Sequence, residues 1–177
     1  LPNGLTVDAV ASATTLDSAK EGLALMRTMD EVRVSPVFGD FGGAGWEWVN
    51  NFIAIGGFAL LLRGIIRWHT PAAVLGGLLG MATLAWLLDP NTHPSPGFHL
   101  FSGGAMLGAF FIATDPVSSP TTARGRLIYG AGIGVLTYVI RTFGSYADGV
   151  AFAVLLMNLA APLIDRWTRP RIYGRAA

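Results

Sequence analysis

The sequence predicts an all-α membrane protein with about five transmembrane helices, and three observations support that prediction. Apolar residues make up 52% of the 177 and charged ones only 13%, with a mean hydropathy of +0.51, a balance foreign to ordinary soluble domains. Five apolar stretches follow Trp46 with short connections, at 48–66, 71–88, 98–114, 127–143 and 146–164. Lipid offers no partner to an open sheet edge, so stretches that cross it must be helical. A soluble bundle with buried core helices is the competing architecture, and five such stretches in succession disfavour it.

In chain order, residues 1–46 form a mixed polar segment, 47–168 the membrane domain and 169–177 a basic tail. Within the first segment Leu16, Ala19, Leu23 and Met26 recur at helical spacing, so a helix of about three turns begins near Thr15 with Thr14 as its natural cap. Thr14 and Asp17 have the spacing of a capping box in which Asp replaces Glu. The Gly-rich run FGDFGGAG at 38–45 reads as a flexible entry loop. No basic segment followed by an apolar run occurs in the first 46 residues, so no signal peptide is expected there.

Crossing a hydrocarbon layer of about 30 Å takes roughly 20 helical residues. The intervals from Arg67 to Asp89 and from Asp89 to Asp115 each enclose more than 18 uncharged residues. Those bounded by Glu47 and Arg63, Arg126 and Arg141, and Asp148 and Asp165 are shorter, and need snorkelling Arg stems or protein neighbours. Small residues recur inside the stretches as GGLLG at 76–80, SGGAMLG at 102–108 and GAGIG at 130–134. Each permits close helix packing; as a set they also fit broken helices around a buried ligand or ion.

Basic residues set the orientation. Arg63, Arg67, Arg124, Arg126, Arg166, Arg169, Arg171 and Arg175 fall on one side of a five-span arrangement, and Lys20, Arg27, Arg33 and Arg141 on the other. Eight against four places the C-terminus in the cytoplasm and residues 1–46 outside it.

Several chemistries are disfavoured. A net charge of +1 with scattered basic residues gives no nucleic-acid surface, and the absence of cysteine excludes disulfides and thiolate sites. His69, His93 and His99 form no metal-binding pair, and the first two have the setting of interfacial loop residues. IATDPVSSPTTARGR at 112–126 ends the third stretch with Asp115 before Pro116. It fits a helix stop and turn, and equally a polar mouth with Asp115 near a cation or cofactor. LLDPNTHPSPG at 87–97 is the matching turn on the other side.

Asp8, Ala13 and Thr14 ahead of a helix, followed by five spans, resemble a specific membrane family. FSGGAMLGAFFIATDPVSSPTT at 101–122 and DGVAFAVLLMNLAAPLIDRW at 148–167 match its pattern too. The family holds the D subunit of the Rnf ferredoxin:NAD oxidoreductase complex and the B subunit of the sodium-pumping NADH:quinone oxidoreductase. The resemblance implies a urea-transporter-like fold of ten helices in two inverted repeats. This chain would supply the second half and the flavin-carrying loop and short helix before it.

It further implies FMN joined as a phosphodiester to the threonine ending a D-G-x-S-G-A-T type motif, here Thr14. Asp8 and Ala13 keep their places, Ala9 and Ser12 stand at the glycine positions, and Ala11 stands at the serine position. Thr15 would then take over the cap. A noncovalent flavin, riboflavin, within the membrane part is also implied, as are partner subunits including a second flavin carrier. Sodium ions or protons would cross a bacterial cytoplasmic membrane, with the flavin segment periplasmic and Asp115 and Asp148 as candidates for the ion path. A channel or small-solute transporter without redox activity, or a scaffold subunit, would share this fold.

Overall fold

The computed structural model describes residues 14–35 and 37–170, and regular structure among them is helical apart from one isolated bridge between Phe38 and Gly43. Two short helices lead, α1 at Thr15–Ala24 and α2 at Met29–Arg33. Thr14 caps α1, as its sequence predicts, and Thr28 with Glu31 forms a reciprocal capping box on α2. The Gly-rich run is an ordered turn instead of an open linker: the Gly39 amide donates to the Gly42 carbonyl at 2.8 Å. Glu47 explains the order, its Oε2 accepting from the Phe41 and Gly42 amides at 3.1 and 3.3 Å.

The apolar part comprises α3 at Trp46–Leu62, α4 at His69–Leu88, α5 at Pro96–Phe101, α6 at Ala105–Leu107 running into a π-helical turn at Gly108–Ile112, α7 at Ala123–Phe143 and α8 at Val150–Thr168. Two of these, α4 and α8, are long and apolar enough to cross a membrane. Only 22% and 28% of their most apolar windows are buried, so most of that surface faces outward, unlike the core helix of a soluble protein. At 17 residues α3 is apolar but shorter. These helices are consistent with a membrane protein.

The third predicted span is not one helix. α5 stops at Phe101 and α6 starts at Ala105, with Gly103 between them at φ +64°. A left-handed residue cannot continue a right-handed helix, and glycine adopts it without strain. The fifth begins at Val150 instead of 146, because Asp148 is drawn into a side-chain network and Gly149 forms the helix cap.

α7 lies between α4 and α8, and its Tyr129 and Ile133 are fully buried in the main core with Val74, Ala153 and Val154. The approach of α4 and α7 is set by glycine. A Cβ on Gly134 would collide with the Val74 carbonyl and the Leu78 amide, and one on Gly77 would lie 2.7 Å from the Ala131 carbonyl. GAGIG and GGLLG therefore pack two continuous helices, and SGGAMLG alone marks a break.

Gly134→Ala is expected to destabilise the detergent-solubilised protein by about 1–3 kcal/mol, the usual cost of forcing an extra carbon into a packed contact. Gly80→Ala, where a Cβ meets open space, is expected to be neutral or to stabilise by about 0.5–1 kcal/mol. Thermal unfolding midpoints of the two variants check this, and equal midpoints would remove close approach as the role of GAGIG.

Candidate functional site

A helix break strands backbone groups, and away from water each must find a partner. Four side chains supply them. Arg141, buried near the end of α7, donates from Nη1 to the His99 carbonyl at 2.6 Å and from Nη2 to the Ser102 carbonyl at 3.1 Å. Asn50 Nδ2 donates to the Phe101 and Gly103 carbonyls at 3.0 and 3.2 Å, and Trp46 Nε1 reaches the Gly103 carbonyl at 3.2 Å. Asp148 takes the other polarity: its Oδ2 accepts from the Gly104 amide at 2.6 Å. Its Oδ1 accepts from Arg141 Nη2 at 3.0 Å and from the Val150 amide at 3.3 Å, so it also steadies the start of α8.

Two buried side chains at the break have polar atoms with no hydrogen-bond partner among the described residues, both ring nitrogens of His99 and Ser102 Oγ, and Thr137 Oγ1 within α7 is likewise without one. The His99 ring is nevertheless fixed, 5.2 Å from the Tyr138 ring and 5.8 Å from that of Phe98.

The first turn of α1 rests on this break. A Cβ on Gly103 would lie 2.7 Å from Leu16 Cδ1 and 2.6 Å from Asp148 Oδ2, so only glycine lets helix, loop and carboxylate meet there. Leu16 and Ala19 are buried with Phe98, and Lys20 Nζ donates to the carbonyls of Gly144 and Tyr146 in the connection between α7 and α8. Thr14 remains exposed at the head of the helix. Its Oγ1 accepts from the Asp17 amide at 3.3 Å and donates to Asp17 Oδ2 at 2.8 Å. Thr15, expected to take over the cap only once Thr14 is esterified, is 5% exposed and turned toward Gly43. Asp8, Ser12 and Ala13 lie outside the described residues.

Asp115 and Asp148 are not brought together. Asp148 sits at the C-terminal end of α7, whereas Asp115 follows the π turn and precedes the start of α7. Asp115 Oδ2 accepts from the Ser118 hydroxyl at 2.8 Å and amide at 3.1 Å, which holds its carboxyl below the usual carboxylate range. Nearby, Asp165 accepts from the Thr121 amide at 2.9 Å, tying the end of α8 to the loop before α7. Asn50, His99 and Arg141 escaped sequence reasoning as site residues. The available signal was polarity inside apolar runs, which marks functional candidates in a membrane by default.

The model of the NQR2, RnfD, RnfE family matches residues 2–174. The chain is similar to the D subunit of the ion-translocating oxidoreductase complex of Aeromonas hydrophila, 56% identical over 168 residues, covering 95% of this chain and 48% of that protein. It resembles the protein of the same name from Pseudomonas aeruginosa (strain UCBPP-PA14) at 57% identity, covering 94% of this chain and 48% of that one. For Vibrio cholerae (strain ATCC 39541) the identity is 54%, with 95% and 48% covered. The chain spans about half the length of the curated relatives it matches.

Arg141→Met is expected to destabilise by about 3–5 kcal/mol, since it leaves Asp148 without its counter-ion and two carbonyls without donors. Asp148→Asn keeps an acceptor for Gly104 and should cost less. Unfolding of both variants and the double variant should give a coupling of about 0.5–3 kcal/mol; additive effects would show that the two side chains do not act as one unit.

Proposed function

This chain belongs to the NQR2, RnfD, RnfE family, and on that premise we propose that it is a flavin-carrying electron-transfer subunit of an ion-translocating oxidoreductase complex of the Rnf type. The observation that carries the proposal is the exposed Thr14 hydroxyl at the head of α1, in sequence register with Asp8 and Ala13. Thr14 suits a phosphodiester to FMN. Its oxygen is open to a flavin transferase, and the positive end and first-turn amides of a ten-residue helix favour the anion that remains.

When bound, FMN supplies one- and two-electron redox chemistry, and the protein gives it place and surroundings. Leu16, Ala19 and Lys20 hold α1 against the helix break and the connection between α7 and α8, fixing where Thr14 stands. Esterification removes the Thr14 hydroxyl proton, and with it the hydrogen bond that Asp17 Oδ2 accepts in the bare chain. Electrons pass between this subunit and a neighbouring flavin-carrying subunit while sodium ions or protons cross the membrane.

The orientation belongs to the same proposal. Arg63, Arg124, Arg126, Arg166 and Arg169 cluster where α3 and α8 end and α7 begins, the end of the bundle away from Thr14. Arg141, buried and paired, is no loop charge and drops out of the count for the other side. The positive-inside bias therefore supports a Thr14 outside the cytoplasm, in the periplasm of a two-membrane bacterium.

In cells with the flavin transferase, Thr14→Ala is expected to abolish covalent flavin, read as loss of in-gel fluorescence and of one FMN less water from the intact mass. Thr15→Ala should retain both signals, and an unmodified Thr14 in the parent protein sinks the flavin reading. For sidedness, Thr14→Cys in this cysteine-free sequence should react with a membrane-impermeant maleimide from the outer face. Labelling only from the cytoplasmic face would reverse the orientation.

A further inference from the structure

We propose that Asp17 is the general base for attachment of the flavin to Thr14, taking the hydroxyl proton as the Thr14 oxygen attacks phosphorus. This rests on the reading of Thr14 given above and adds a second residue of this chain to that reaction. Thr14 Oγ1 donates to Asp17 Oδ2 at 2.8 Å and accepts from the Asp17 amide at 3.3 Å.

A hydroxyl has one proton and two lone pairs. In Thr14 the proton is directed at a carboxylate oxygen and one lone pair at an amide, which leaves the second lone pair on an exposed side chain. A hydroxyl within hydrogen-bond reach of a base, with an electron pair left for attack, is the arrangement of an activated nucleophile. Both contacts come from one residue: the backbone one steadies the oxygen and the side-chain one receives the proton.

Capping alone does not account for the carboxylate. α2 opens with the same spacing, Thr28 and Glu31, and there the acid turns to the backbone. Glu31 Oε2 accepts from the Thr28 amide at 3.1 Å while Thr28 Oγ1 accepts from the Glu31 amide at 3.4 Å, so two helix-end donors are satisfied reciprocally. In α1 the second of these contacts is kept, but the Asp17 carboxylate is directed at the hydroxyl proton, a contact that satisfies no helix-end amide.

The co-substrate is a flavin whose phosphate is activated as a pyrophosphate, namely flavin adenine dinucleotide. Thr14 Oγ1 forms a bond to the FMN phosphorus, the pyrophosphate P–O bond on the adenylyl side breaks, and its electron pair leaves with AMP. The hydroxyl proton passes from Oγ1 to Asp17 Oδ2 and then to water, and nothing is oxidised or reduced. An Asp that accepts the proton of an attacking hydroxyl recurs in phosphoryl transfer. The flavin transferase then supplies the dinucleotide and stabilises the phosphoryl group, while the acceptor chain brings its own base.

The test uses the full-length protein made without flavin transferase, incubated with purified transferase, flavin adenine dinucleotide and Mg2+. Flavin on Thr14 is followed by in-gel fluorescence and intact mass. Asp17→Asn keeps the side-chain shape and the backbone amide, and should lower kcat by about 100-fold to 10,000-fold, the usual contribution of a positioned base, with KM for the chain unchanged. Asp17→Ala should show a similar loss and recover several-fold when formate is added as a small carboxylate, whereas formate should leave the parent rate alone. A rate for Asp17→Asn within a few-fold of the parent, a loss carried by KM alone, or an Asp17→Ala defect that formate does not relieve overturns the base and leaves the Thr14 reading standing. No flavin on Thr14 in the parent protein overturns both.

Discussion

The structure turns on a helix end and three residues of open backbone, Ser102 to Gly104, that must be satisfied without bulk water. An ordinary helix end could leave its terminal groups to solvent, but this one lies against α3, α7 and α1. The carbonyls take donors from Arg141, Asn50 and Trp46, and the Gly104 amide takes Asp148 as acceptor. A buried ion pair adds little net stability over an apolar pair of the same shape. Here its weight lies in the backbone groups it engages, because no apolar replacement could bond to them. Broken backbone and charged pair are therefore one feature: neither is tolerable without the other.

That feature also determines what sits above it. Arg141 ends one helix and Asp148 precedes the next, so their pairing closes the connection whose carbonyls Lys20 then engages. Gly103 makes room for Leu16, Gly42 comes up against the Phe101 carbonyl, and Glu47 at the head of α3 gathers the Gly-rich turn. The first turn of α1 is thus placed by residues from α3, from the break and from the end of α7. Thr14 inherits a fixed position from a network it does not touch.

How far this was legible in the sequence follows from how local each feature is. α1 and its Thr14 cap are written in a helical repeat and a spacing of three residues, and were readable. α3, α4, α7 and α8 fall on apolar stretches and were readable apart from their ends. The break was not: the run 98–114 is as apolar as its neighbours, and what permits it to open lies far off, Arg141 being 42 residues from His99 and Asn50 being 51 from Phe101. Arg141 read from sequence was a surface charge helping to set topology; in the fold it is buried. The three glycine motifs looked alike, and only the fold separates the two that pack helices from the one that interrupts a helix. Asp148 was singled out for an ion path on resemblance alone, while its contacts bind it to Arg141, Gly104 and Val150.

Thr14 and Thr15 stand side by side at the head of one helix, and burial tells them apart. Thr15 is packed beneath the Gly-rich turn, so modification there would require undocking α1; Thr14 exposes its hydroxyl and asks for no rearrangement beyond Asp17. Losing a threonine cap costs a helix about 0.5–2 kcal/mol. An ester at Thr14 need not incur that loss, because phosphate oxygens beside the first turn accept from the same amides that the hydroxyl served. α1 is held in any case by Leu16, Ala19 and Lys20, none of which depends on the cap. A residue that caps in the bare chain and carries a phosphodiester in the loaded one is therefore physically consistent, with the helix end supplying the same amides to either oxygen.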